Sequence, residues 1–125
     1  WTKFLRMAGH WQVMGFGYWL VEDKQSGGLV GEVGFGDFLR DMAPSIKGDL
    51  EIGWVIAPSV AGRGFATEAA RAALNWANAK FPAKEVCCII DCDNDPSIRI
   101  AEKCGFFNPK KAAYHGEEIL LFYLR

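Results

Sequence analysis

Ala61-Gly62-Arg63-Gly64-Phe65-Ala66-Thr67-Glu68 decides how this chain is read. The stretch lies between an alternating apolar segment, Leu50 to Ile56, and a long alanine-rich one. Two glycines one residue apart at a strand-to-helix turn let backbone N–H groups converge on one point. The helix N-terminus behind them adds partial positive charge. Such a turn is either an anion site suited to phosphate or pyrophosphate, or a tight surface bend that binds nothing. In the first case Arg63 can add a fork of donors.

The flanking segments define the architecture. Asp49 to Ala57 reads as a strand with Ile52, Trp54 and Ile56 on one face and Asp49, Glu51 and Gly53 on the other. Phe65 to Lys80 reads as a helix, with Glu68, Arg71, Asn75 and Asn78 outward and Phe65, Ala69, Ala73, Trp76 and Ala77 inward. Glu85 to Cys92 is a nearly continuous apolar strand, as in a sheet covered on both faces. This strand–helix–strand unit requires a parallel pair with a right-handed crossover. Upstream, Gly15 to Asp23 and Leu29 to Phe38 form a hairpin around Gln25-Ser26-Gly27-Gly28. Thr2 to Ala8 reads as the end of a helix stopped at Gly9, and Arg40 to Gly48 as a polar loop. Downstream, Asp95 is placed as N-cap with Pro96 first in a short helix to Cys104. Strands near Phe106 to Ala113 and Glu117 to Leu124 close the chain around His115-Gly116. The expected fold is therefore α+β: one domain over residues 1–125, built on a mixed, largely antiparallel sheet with a central parallel β-α-β unit and helices on its faces.

Composition narrows the function. The chain has 125 residues, with 14 Lys plus Arg against 15 Asp plus Glu. That balance carries no electrostatic footprint for nucleic acid. No apolar run is long enough for a membrane-spanning helix, and no signal-peptide pattern opens the sequence. Cys87, Cys88, Cys92 and Cys104 lack metal-ligand spacing, so no metal is expected. They read as small apolar thiols of a reducing cytoplasm. Gly31, Gly34 and Gly36 do not open a helix, which argues against a dinucleotide fingerprint.

Three segments together resemble the GNAT superfamily of acyl-CoA-dependent N-acyltransferases, and within it the RimJ/RimL-like branch. They are Asp49 to Ile56, Gly62 to Ala69, and Asn94-Asp95-Pro96-Ser97-Ile98-Arg99-Ile100-Ala101-Glu102-Lys103-Cys104-Gly105-Phe106. The resemblance implies an acetyl-CoA-dependent N-acetyltransferase acting on a primary amine, as monomer or homodimer. The family's opening strand and helices have no counterpart here ahead of Gly15 except the tail of a helix. Acetyl-CoA is then expected in a cleft beside the central strand, its pantetheine arm against Trp54, Val55 and Ile56. Its pyrophosphate is expected on Ala61, Gly62, Arg63, Gly64, Phe65, Ala66 and Thr67, with Asn94 orienting the arm or the helix start.

The same resemblance points to Glu51 as the base that deprotonates the amine, with Asp49 second; the bland alternative is a solvated strand carboxylate. Many relatives carry a Tyr where this chain has Ala101, so Ser97 becomes the candidate donor to the leaving sulfur; alternatively it only helps cap the helix. His10 is a weaker base candidate. Trp11, Phe16, Tyr18 and Trp19 either line an acceptor pocket or belong to the core. An acyl-CoA-binding sensor with little catalysis is the competing reading.

Overall fold

In a computed structural model, residues 1–124 are described. The elements are α1 (Thr2–Met14), β1 (Tyr18–Glu22), β2 (Leu29–Gly36), β3 (Met42–Ala43), β4 (Leu50–Ile56), a 3-10 turn (Pro58–Val60), α2 (Phe65–Lys80), β5 (Val86–Asp91), α3 (Asp95–Lys103), β6 (Lys110–Tyr114) and β7 (Glu117–Tyr123). One seven-stranded sheet runs β1-β2-β4-β5-β7-β6-β3. Every neighbouring pair is antiparallel except β4–β5. This is the mixed α+β architecture expected from the strand–helix–strand unit.

Several boundaries differ from the expectation: β1 begins at Tyr18 rather than Gly15, and β2 ends at Gly36 rather than Phe38. Helix α1 runs through Gly9 to Met14 and ends at Gly15, whose left-handed φ of 78° lets its N–H reach Trp11 O at 3.0 Å. The extra turns are held by His10 and Trp11, which contact the sheet end. The N-cap of α3 is Asn94, not Asp95: Asn94 Oδ1 accepts the Ser97 N–H at 3.3 Å, so Asp95 and Pro96 start the helix. Strand β6 begins at Lys110 because Asn108 turns the chain at φ 55°. Strand β3 lies in the expected loop; two residues pairing Tyr114 and Ala113 at a sheet edge are too few to show alternation.

Helices α2 and α3 pack on one face of the sheet over Phe35, Leu50, Ile52, Cys88 and Ile90. Alanines at 70, 73 and 77 let α2 approach closely, with Leu74 beside them. Ala69 and Trp76 only border that core, and Phe65 is half-buried, because the inward stripe sits one position round from the expected one. Each large apolar side chain buried there contributes about 1.5–3 kcal/mol. Trp76 is met edge-on by Trp19 at 4.9 Å and by Trp11 at 5.9 Å between ring centres. Phe16 is fully buried in the core, whereas Trp19 and Trp76 are partly buried and pack against its edge. A second apolar cluster covers the opposite face beneath β6 and β7, with Cys87, Ile119 and Leu121. Burial pushes the Cys87 and Cys88 thiols well up, so they stay protonated. Cys92, however, is exposed rather than apolar core, because it lies just past β5.

Candidate functional site

Among the described residues the only parallel pair, β4–β5, is short. Leu50 opposes Val86 and Glu51 opposes Cys87, and there the register ends. Beyond it β4 pairs only with β2, and β5 only with β7. Two parallel strands that share a start and then separate leave a wedge between them. The Leu50 N–H donates to Glu85 O on the β5 side, whereas the Ala57 N–H donates to Val30 O on the β2 side. Backbone groups alternate in direction along a strand. Ile52, Trp54 and Ile56 therefore turn their N–H and C=O groups into the wedge, and Val55 turns its own toward β2.

The glycine turn closes one end of this wedge. Gly62 and Gly64 have φ of 82° and 85°, a region costly for residues with a Cβ. A Cβ at either position would meet nothing within 4 Å. Glycine is needed there for backbone direction, not for space. Among the described residues, no carbonyl accepts a hydrogen bond from the N–H groups of Gly62 to Thr67. The last three are the orphan donors of the first turn of α2. They fit a diphosphate: unpaired donors, a helix N-terminus and no side chain in the way.

A groove of about 750 Å³ joins these parts. Trp54, Val55, Ile56, Ala61, Gly62, Gly64, Phe65, Ala66, Thr67 and Ser97 line it. Arg63 does not. Its guanidinium lies 3.6 Å from Asp23 Oδ2 and 5.0 Å over the Phe65 ring, turned toward the β1–β2 hairpin. Arg99 and Lys103 of α3 border the groove instead. Their spacing of four residues puts them on one helical face, a signal that would have singled out Lys103.

An adjoining pocket of about 250 Å³ contains Glu51, Gly53, Asn94 and Arg40, and shares Trp54 and Ser97 with the groove. Glu51 is buried, with 7% of its side chain exposed, not solvated. Arg40 Nε and Nη2 donate to Oε1 and Oε2 at 2.7 and 3.0 Å, and Arg40 Nη1 donates to Tyr114 Oη at 2.9 Å. The hydrogen bond to Glu51 raises the Arg40 pKa well above its ordinary value. Nothing local links residues 40 and 51, so sequence reasoning missed Arg40. Asp49 accepts a hydrogen bond from Tyr123 Oη at 2.7 Å.

His10 is not a free loop histidine. Its Nδ1 lies 2.8 Å from Phe16 O, and its Nε2 accepts the Asp37 N–H at 3.2 Å. Both ring nitrogens are engaged in tying α1 to the sheet. Among the described residues no group of His, Cys, Asp and Glu could hold a metal ion, and no helix is long and apolar enough to cross a membrane.

A splayed parallel pair with a donor-rich glycine turn at its mouth leaves an open strand edge beside converging N–H groups. Comparison with known proteins supplies the family. Residues 1–107 match the family described as acetyltransferase (GNAT) domain, and the chain belongs to that family. It is 34% identical over 98 residues to the uncharacterized protein YkkB of Bacillus subtilis, covering 77% of this chain and 54% of the relative. It is also 34% identical over 101 residues to the uncharacterized N-acetyltransferase YjdG of the same organism, covering 80% and 57%. The chain thus spans little more than half the length of these curated relatives. A solved structure from Bordetella pertussis, assigned to the GNAT-family acetyltransferases, superposes with a TM-score of 0.90 at 30% identity, covering all of this chain and 75% of that one.

Proposed function

We propose that this chain binds acetyl-CoA in the groove and transfers the acetyl group to a primary amine, on a protein N-terminus or a small molecule, as a RimJ/RimL-like acetyltransferase. One observation carries the reading: the unpaired edge of β4 and the free N–H groups of Gly62 to Thr67 open into the same groove. Bound acetyl-CoA supplies a thioester carbonyl as electrophile. The turn N–H groups hold its pyrophosphate, and Arg99 and Lys103 offset phosphate charge. Trp54 and Ile56 pair with the amide groups of its arm, as a strand edge pairs with a peptide. Asn94 holds the start of α3, which sets Ser97 at the junction of groove and pocket.

The amine nitrogen forms a bond to the acetyl carbon as the carbon–sulfur bond breaks. The ammonium loses two protons in all, one finally to solvent and one to the CoA sulfur. Glu51 takes the first through a water, on the lone pairs that Arg40 leaves free on its carboxylate oxygens. The Ser97 hydroxyl donates toward the sulfur. N–H donors of β4 face the carbonyl oxygen as it gains charge. A cytoplasmic setting, as monomer or homodimer, fits the same reading, since all four cysteines are free.

The test is thiol release from acetyl-CoA across a panel of amines. Glu51→Gln is expected to lower kcat about 100-fold, near the lower end for general-base groups. Its CoA affinity should stay within about threefold, below ~0.7 kcal/mol. A pH–rate profile unchanged in shape would remove Glu51 as base. The second reading is an acyl-CoA-binding sensor, favoured by the engagement of Glu51 with Arg40 and of Asp49 with Tyr123. Saturable CoA binding without thiol release for any amine would select it.

A further inference from the structure

Tyr18 opposes Gly34 across β1–β2, and Gly34 opposes Gly53 across β2–β4. Two glycines side by side on adjacent strands leave a bare lane on the sheet surface. The Tyr18 side chain lies along it. Its hydroxyl stands where a side chain at Gly53 would be, with Cζ 3.2 Å from that Cβ position. The ring crosses β2 to reach this point on β4. The ring ends on the face of β4 that carries Glu51, since Gly53 and Glu51 are two residues apart on one strand. This is the face opposite α2, whose side holds Ile52 and Trp54.

Gly53 lines the same pocket as Glu51 and Ser97. Among the described residues no group donates to or accepts from the Tyr18 hydroxyl, although Glu51, Arg40 and Trp11 find partners nearby. Tyr18 is half-buried and no fully buried side-chain oxygen among the described residues lacks a partner, so this is an open hydroxyl rather than a stranded one. An open hydroxyl beside a proposed reaction centre is fitted to a ligand group. Burial, then the charges of Glu51 and Glu32, push its pKa well up, so it stays a neutral phenol with lone pairs to offer.

We infer that the Tyr18 hydroxyl contacts the acceptor amine, accepting one of its N–H bonds so that the nitrogen lone pair faces the opening between β4 and β5. The inference rests on the acetyl-transfer reading and adds the direction of approach. The amine enters from the Glu51 face, and the CoA arm lies along the strand edge. Gly53 is then a glycine because the phenol lies over it, whereas at Gly34 the Gly17–Tyr18 backbone fills the space of a Cβ. A primary amine has hydrogens enough to meet Tyr18 and the water on Glu51 together; a tertiary amine has neither hydrogen.

The experiment is steady-state kinetics of Tyr18→Phe beside the parent chain, with acetyl-CoA and the best amine of the panel, and CoA affinity by calorimetry. Phe keeps the ring in its lane and removes only the oxygen. The expected result is a fall of about tenfold in kcat/KM for the amine, the usual scale for one hydrogen bond. CoA affinity and the melting midpoint should be unchanged. Gly53→Ala, which forces the ring aside, should give a similar loss, and the double variant no more than either alone. If Tyr18→Phe matches the parent in kcat/KM, or weakens CoA and amine alike, the hydroxyl does not contact the amine. A parent chain that never releases thiol overturns the transfer reading itself, and this inference with it.

Discussion

Arg40→Ala is expected to destabilise the fold by about 3–5 kcal/mol, the cost of leaving a buried charge without its partner. Three guanidinium nitrogens are engaged, two on Glu51 and one on Tyr114 Oη. The same group lies 5.0 Å over the Phe38 ring and 5.1 Å over that of Tyr114. Arg40 thus joins the loop after β2 to β4 and to the far edge of the sheet. Against a total stability of about 5–15 kcal/mol the loss is severe. Urea unfolding should show a lower midpoint with an unchanged slope. Removing both partners, as in Arg40→Met with Glu51→Leu, should cost clearly less than Arg40→Ala alone, because no charge is then stranded. A single variant within about 1 kcal/mol of the parent would mean that water reaches Glu51 freely.

Gly64→Val should weaken CoA binding by about 2–3 kcal/mol, or roughly 30- to 150-fold in Kd, the worth of one or two charge-assisted N–H bonds. The residue is the N-cap of α2 at φ 85° and ψ 3°, where a β-branched side chain is strained. Relaxing that strain rotates the peptide units on either side, so the N–H groups of the turn cease to converge. Because a Cβ at Gly64 would meet nothing within 4 Å, the variant should still fold. Calorimetry with CoA reads the affinity, and circular dichroism checks the fold. Unaltered affinity in a folded variant would show that the turn is only a bend.

The frame of the site was legible because it rests on local signals. Alternation from Leu50 to Ile56, two glycines, an alanine-rich helix and an apolar strand together demand a parallel pair and a turn beside it. Asp95, read as the N-cap, and Pro96 mark α3 within one residue of its true start. What stayed hidden depends on contacts between distant residues. Arg40 and Glu51 meet only after the sheet has formed, so a strand carboxylate that looks solvated in sequence is buried in an ion pair. Arg63 sits inside the turn, yet the hairpin carboxylate Asp23 draws it off the groove. Tyr18 looks like one aromatic among several, and only the pairing of Gly34 with Gly53 separates it from its core neighbours. The helix stop at Gly9 failed because glycine also occurs inside helices, at a cost of about 1 kcal/mol that contacts at Trp11 offset.

The most direct measurement is an amide NMR titration of the chain with CoA. The expected result is saturable movement of the Gly62 to Thr67 N–H signals, with slowed hydrogen exchange at Trp54 and Ile56, whose backbone groups face the wedge. Binding that leaves those signals in place, or no saturable binding to the folded chain, would contradict a groove that holds its ligand by the glycine turn and the open edge of β4.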